Sequence, residues 1–188
     1  MKAKGVLLGI ILGVIAIGLF TSCEELDGLL EDIGVTLTTD YYEMEFIIPP
    51  APAGIPVEMM TTMEANLDEV ITNNGYNNAT VNSVEVENAI MGVSEKSNVS
   101  NMNAIDTLSI SVSTDQLSET AIAHCKNTII DAETLSLETR SVNVNSYIES
   151  EQYNLITYGM LKESLTDTLW LTARIRYKVK LTIPRIGD

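Results

Sequence analysis

The chain has only two cysteines and one histidine in 188 residues, and these scarcities close off much chemistry. Cys23 stands at the end of an apolar leader; if it is acylated there, Cys125 has no partner and the body of the protein has no internal disulfide. One His and one free Cys make no zinc set unless carboxylates supply the remaining ligands. His124 must serve in any His-based mechanism, and no Gly-flanked Ser elbow accompanies it. His124 and Cys125 are adjacent, but neighbours on a strand point to opposite faces, so the thiol is read as buried and inert. A Gly-rich phosphate loop and EF-hand spacing are absent too. Basic residues are also few, 11 against 26 acidic for a net charge of -15. Such a surface repels phosphates, which excludes nucleic acid as a partner. It also argues against adsorption to anionic headgroups. The charge suits solubility outside a cell, with attraction of cations or a basic partner as the functional alternative.

No apolar run reaches the ~20 residues that cross a bilayer. The longest, Gly5 to Phe20, follows Lys2 and Lys4 and ends in Thr21-Ser22-Cys23, with Glu24 and Glu25 directly after. A charged start, an apolar middle and small residues before a cleavage point make a secretory signal rather than a spanning helix. A spanning helix would also want basic residues to hold its inner end. The Thr-Ser-Cys ending resembles a bacterial lipobox. That resemblance implies a lipoprotein signal peptide over 1–22, with Cys23 as the mature N-terminus carrying palmitate-type chains. Two or more such chains anchor stably, so the expected membrane partner is reached through lipid on Cys23. The remaining 166 residues hold nine basic against 26 acidic side chains, hence -17, and suit one domain. Acids directly after the lipidated Cys resemble the surface-export signal of Bacteroidota lipoproteins. This implies an outer-membrane protein facing the cell exterior, with the periplasmic face as the alternative.

Residues 23–34 read as a lipid-anchored tether, in which Leu26, Leu29, Leu30 and Ile33 recur at helical spacing before Gly34. Residues 35–188 read as one mainly β domain. Val35 to Thr38 and Tyr41 to Ile48 are strand patterns, and Pro49, Pro50, Pro52 and Pro56 make an extended crossing. Thr61-x-x-Glu64 has the form of a capping box for a helix with Met63, Leu67, Val70 and Ile71 on one stripe, stopped by Gly75. Further strands are expected over Asn77 to Val93, Thr107 to Ser113 and Thr120 to Cys125, and from Leu135 toward Val144. Ser146-x-x-Glu149 caps a helical turn ahead of two long strands, Tyr153 to Lys162 and Asp167 to Ile183. This layout predicts an antiparallel, immunoglobulin-like β-sandwich with one or two short helices. The final third is similar to small β-sandwich lipoproteins of Bacteroidota, a group without a common activity.

Candidate site residues are sparse. In the last strand Ala173, Ile175, Tyr177, Val179 and Leu181 alternate with Arg174, Arg176, Lys178 and Lys180. The four cations form either a groove for an acidic ligand or a cross-strand ladder with Glu43 and Glu45, or Glu85 and Glu87, and the shared period of two favours the ladder. Asp106-Thr107-Leu108 and Asp167-Thr168-Leu169 resemble the Bacteroidota O-glycosylation sequon, which would place glycans on Thr107 and Thr168. The plainer reading is that each Asp-Thr begins a strand after a turn. Asp131 and Glu133, or Glu24, Glu25 and Asp27, are the acids nearest a Ca²⁺ set, without supporting spacing, so no metal or cofactor is assigned. No catalytic residue is assigned either. The expected function is a non-catalytic binding, adhesion or assembly module, an accessory subunit of an outer-membrane complex with an envelope protein or glycan as partner. The alternative is a carboxylate-based glycan hydrolase at the cell surface.

Overall fold

The computed structural model describes residues 33–184, apart from Ala65 and Glu151. The signal over 1–22, Cys23 and most of the tether lie outside the described residues. Among the described residues strands take 57% and helices 7%, which settles the class as mainly β. Nine strands lie among the described residues: β1 (Ile33–Thr38), β2 (Tyr42–Ile48), β3 (Pro56–Glu64), β4 (Thr80–Val93), β5 (Ile105–Ser113), β6 (Thr120–Lys126), β7 (Thr134–Thr139), β8 (Gln152–Leu161) and β9 (Leu169–Ile183). Two short helices interrupt them, α1 (Leu67–Asn73) and α2 (Asn145–Ile148).

All pairings are antiparallel, and the sheet runs β1-β9-β4-β7-β6-β5-β8-β3. β1 and β2 lie end to end along the same edge of β9. β7 is the corner of the curl. Its Leu135 and Leu137 pair with Met91 and Ala89 of β4, while Glu138 and Thr139 pair with His124 and Ala123 of β6. The result is two half-sheets, β1/β2-β9-β4 and β3-β8-β5-β6, joined through β7.

Alternation decides which side chains enter the core. On β9, Leu169, Leu171, Ala173, Ile175, Tyr177, Val179 and Leu181 are buried. Leu108, Ile110 and Val112 of β5 and Tyr153, Leu155 and Leu161 of β8 are buried as well. Each fully buried Leu or Ile contributes ~1.5–3 kcal/mol over leaving it in water. In two long strands the inward set changes parity. β4 buries Val84 and Val86, then Ala89 and Met91, across a register shift between Val86 and Asn88. The edge formed by β1 and β2 turns Val35, Leu37 and Thr39 toward the core, then Tyr42, Met44, Phe46 and Ile48. Three residues, Thr39 to Tyr41, stand there against Arg176 and Tyr177 of β9, which makes a bulge.

Several local readings are corrected. Thr61 and Glu64 form no capping box, because Pro56–Glu64 is a strand and the helix begins at Leu67. Val57, Met59, Thr61 and Met63 alternate with exposed Glu58, Met60, Thr62 and Glu64, and pairing along nine residues of β8 outweighs the helical spacing. Ser146 is likewise not a cap. The turn starts at Asn145, whose N–H donates to Asn143 Oδ1 at 3.1 Å. The β7 strand stops at Thr139 instead of reaching Val144, since the chain has by then turned the corner between half-sheets. Ile33 and Gly34 belong to β1 rather than to a helical tether, paired with Ile183 and Thr182. Ser111 is buried although its neighbours Leu108, Ile110 and Val112 point inward, for it stands mid-sheet between Ala121 and Ile156.

Candidate functional site

The outer face of the first half-sheet carries the basic strip. Lys180 Nζ donates to Glu85 Oε1 at 2.9 Å. Arg176 Nε lies 2.8 Å from Glu87 Oε2, and its guanidinium sits 5.1 Å from the centre of the Tyr41 ring. Lys178 is opposite Glu85 in register, and Arg174 is opposite Glu43. Glu45 pairs instead with Lys96 at 2.7 Å, and Lys96 lies 5.8 Å over Trp170. The strip is therefore a face of interleaved charges. Its pairs are partly exposed, so each contributes ~0.2–1 kcal/mol and all weaken in salt. A groove of about 410 Å³ between Glu43, Lys96 and Arg174 opens on this face.

The other sequence candidates are scattered. Cys125 is half-buried beside Leu108, and burial pushes its thiol pKa up, the opposite of an activated nucleophile. His124 is exposed, with Nε2 3.6 Å from Glu138 Oε2. Asp131 does not converge with Glu133. Its carboxylate accepts from the side-chain amides of Asn103 and Asn101, at 2.8 and 3.4 Å. Among the described residues no group of His, Cys, Asp and Glu is arranged to hold a metal ion. Thr107 is half-exposed on β5 and Thr168 half-exposed just before β9.

A cleft that sequence reasoning missed lies at the bulge between β1 and β2. Thr39 builds it. Its backbone N–H donates to Tyr177 O at 2.9 Å, and its Oγ1 accepts from the Tyr177 N–H at 3.1 Å. The side chain thus replaces a ladder bond, and the extra residue turns Asp40 and Tyr41 out of the sheet. Helix α1 forms the opposite wall, fastened by Tyr42 OH donating to Asn66 Oδ1 at 2.6 Å. The space is about 420 Å³, with Thr38, Asp40, Tyr41, Asn73 and Asn74 at its mouth. Burial first, then the neighbouring Tyr153, Asp40 and Glu69, push the Tyr42 phenol up to about 12. The change of parity from Leu37 to Tyr42 was the signal in the sequence for this bulge. A second polar cleft, about 460 Å³, lies between Thr62, Asp115, Gln152 and Asn154.

No protein-family model matches the chain, and no curated protein matches it. Among solved structures, it is similar to CpGH89CBM32-5 from Clostridium perfringens in complex with GalNAc-beta-1,3-galactose. That likeness has 10% identity and a TM-score of 0.31, covering 70% of this chain and 94% of that one. A chain of Tomato Aspermy Virus has 10% identity and a TM-score of 0.27, covering 79% of this chain and 81% of that one. Likenesses this distant assign no function.

Proposed function

We propose that the protein is a lipid-anchored cell-envelope module that binds or assembles rather than catalyses, held to an outer membrane through Cys23. Its curled sheet is taken as a sandwich whose two outer faces and end clefts are the working surfaces. The observation that carries the non-catalytic reading is the make-up of the two polar clefts. Among the described residues each is lined by a single carboxylate, Asp40 in one and Asp115 in the other. Carboxylate-based glycoside hydrolysis needs a pair flanking the bond. The groove beside Arg174 is lined by Glu43, Glu45 and Glu95, but it lies open on the outer face of the sheet, and Glu45 there is engaged by Lys96 at 2.7 Å and is 42% exposed. An envelope protein or glycan is the partner class this reading implies, and glycans on Thr107 and Thr168 belong to the same reading.

Two measurements test it. Metabolic labelling with a fatty acid should mark the wild-type chain and fail to mark Cys23→Ala; equal labelling of both overturns the anchor. Incubation of the purified full chain with envelope glycans should release no new reducing ends. Release that is lost in a variant lacking Glu43 and Glu45 would instead establish the hydrolase.

A further inference from the structure

The most exposed large apolar side chain among the described residues is Ile130, at 83%, and its neighbour Ile129 is 56% exposed. Two adjacent isoleucines in water usually belong to a loose loop. This loop is pinned instead. Asn127, itself buried, anchors its start: the N–H donates to Asp106 O at 2.6 Å and Nδ2 donates to Met102 O at 2.8 Å. Asn127 Oδ1 accepts the Ile129 N–H at 3.1 Å. Asp131 closes the loop in the left-handed region at φ 57°, a costly conformation for a non-Gly residue, with its N–H donating to Asn103 Oδ1 at 2.7 Å. Hydrogen bonds on both sides thus hold the two isoleucines out in a fixed geometry, which lowers the entropy lost when something covers them.

A receptor for this knob lies on the same chain. On the outer face of the second half-sheet, Pro56, Tyr158 and Met160 wall a groove of about 360 Å³ that reaches Thr107 and Lys126. This is near the lower limit for small-ligand clefts and leaves room for the side chains of both isoleucines. No Asp or Glu lines it. Lys126 joins groove and knob, being one residue before Asn127, so both features sit at one end of the half-sheet. We propose that Ile129 and Ile130 of one copy seat in the Pro56–Tyr158–Met160 groove of a second copy, and reciprocally. Because knob and groove are adjacent, one two-fold axis satisfies both and the contact closes as a dimer instead of a filament. Exposed Met60, at 63%, continues the apolar surface across the same face, with Ile156 beside it covered to 8% exposure. The inference is independent of lipid on Cys23.

The test uses the full chain in detergent, followed by sedimentation across the micromolar range. A monomer–dimer equilibrium is expected. Ile130→Ser should weaken it about a hundredfold, because symmetry removes the side chain twice, with thermal stability unchanged. Ile33→Ser removes an isoleucine 63% exposed at the far end of β9 and should leave the dimer intact. Since two chains of net charge -15 repel, added salt should strengthen the dimer. A photocrosslinking residue at position 130 should join a second chain within Gln152–Leu161. A wild-type monomer throughout, weakening by salt, loss on Ile33→Ser, or crosslinks to lipid or to an unrelated protein would each overturn the proposal.

Discussion

The two outer faces of this sheet solve the problem of meeting water in opposite ways. On the first half-sheet, β9 sets Arg174, Arg176, Lys178 and Lys180 among Glu43, Glu85 and Glu87. On the second, the rows crossing β3, β8, β5 and β6 read Met60, Ile156, Ser111, Ala121, then Glu58, Tyr158, Ser109, His124, then Pro56, Met160, Thr107, Lys126. The acids Glu58 and Glu64 of this face sit on its edge strand, β3. Charge on one face gives register and solubility through many weak pairs. The other face relies on packing beneath it and leaves apolar side chains available above, as a face reserved for contact does. Both faces share one core, so substitutions on each separate what holds the fold from what the surface is for.

The largest effect is expected beneath the second, less charged face. A Cβ on Gly159 would stand 3.0 Å from Val57 Cγ2 and 3.3 Å from Leu108 Cδ2, so Gly159→Val should cost ~1–3 kcal/mol by overpacking. Denaturant unfolding measures it, and an unchanged midpoint would show that β3 yields easily. On the charged face, Arg176→Glu with Lys180→Glu should cost ~1–2 kcal/mol in low salt and clearly less in high salt. A glutamate at Met60, 63% exposed on the second face, should stay within ~0.5 kcal/mol, as exposed changes do. If the two faces respond alike, the contrast between them is only one of composition.

A stabilising change sharpens the contrast from inside. Thr157 is fully buried and its hydroxyl has no hydrogen-bond partner, so Thr157→Val should gain ~1 kcal/mol without altering either outer face. The smallest effect under ordinary conditions concerns pH. Folding raises the Tyr42 phenol from 10.0 to about 12, and burial raises Tyr153 and Tyr177 as well. The fold favours the neutral phenols, so this contribution is fully present below pH 10 and is lost as pH climbs through 12. Stability read against pH should be flat to about 10 and then fall, with a shallower fall in Tyr42→Phe; identical curves would remove Tyr42 from the account.

Much of the fold was legible because β alternation is a local property. The two faces of β9 can be read directly from Ala173 to Leu181, and Leu108, Ile110 and Val112 likewise. Misreadings came where two periods compete. Met63, Leu67, Val70 and Ile71 satisfy helical spacing, yet Met59, Thr61 and Met63 satisfy a period of two, and β8 decides between them by offering hydrogen bonds along nine residues. The bulge cleft was half-legible. The parity change from Leu37 to Tyr42 announces a bulge, but nothing local says that Thr39 Oγ1 will meet the Tyr177 N–H, 138 residues away. Ile129 and Ile130 looked unremarkable in the sequence, since an apolar pair next to a strand is ordinarily buried.

What the sequence determined by itself is the class of fold, the inner and outer sides of its long strands and the acidity of its surface. Each of these follows from neighbouring residues or from counting. The corner at β7, the clefts beside Asp40 and Asp115, and the pairing of Arg176 with Glu87 were decided only by the tertiary structure. So was the exposure of Ile129 and Ile130. These depend on which segments distant in the chain come to lie side by side, and on whether the groups so gathered satisfy one another's hydrogen bonds. No local pattern encodes that, because it is a property of the closed sheet as a whole.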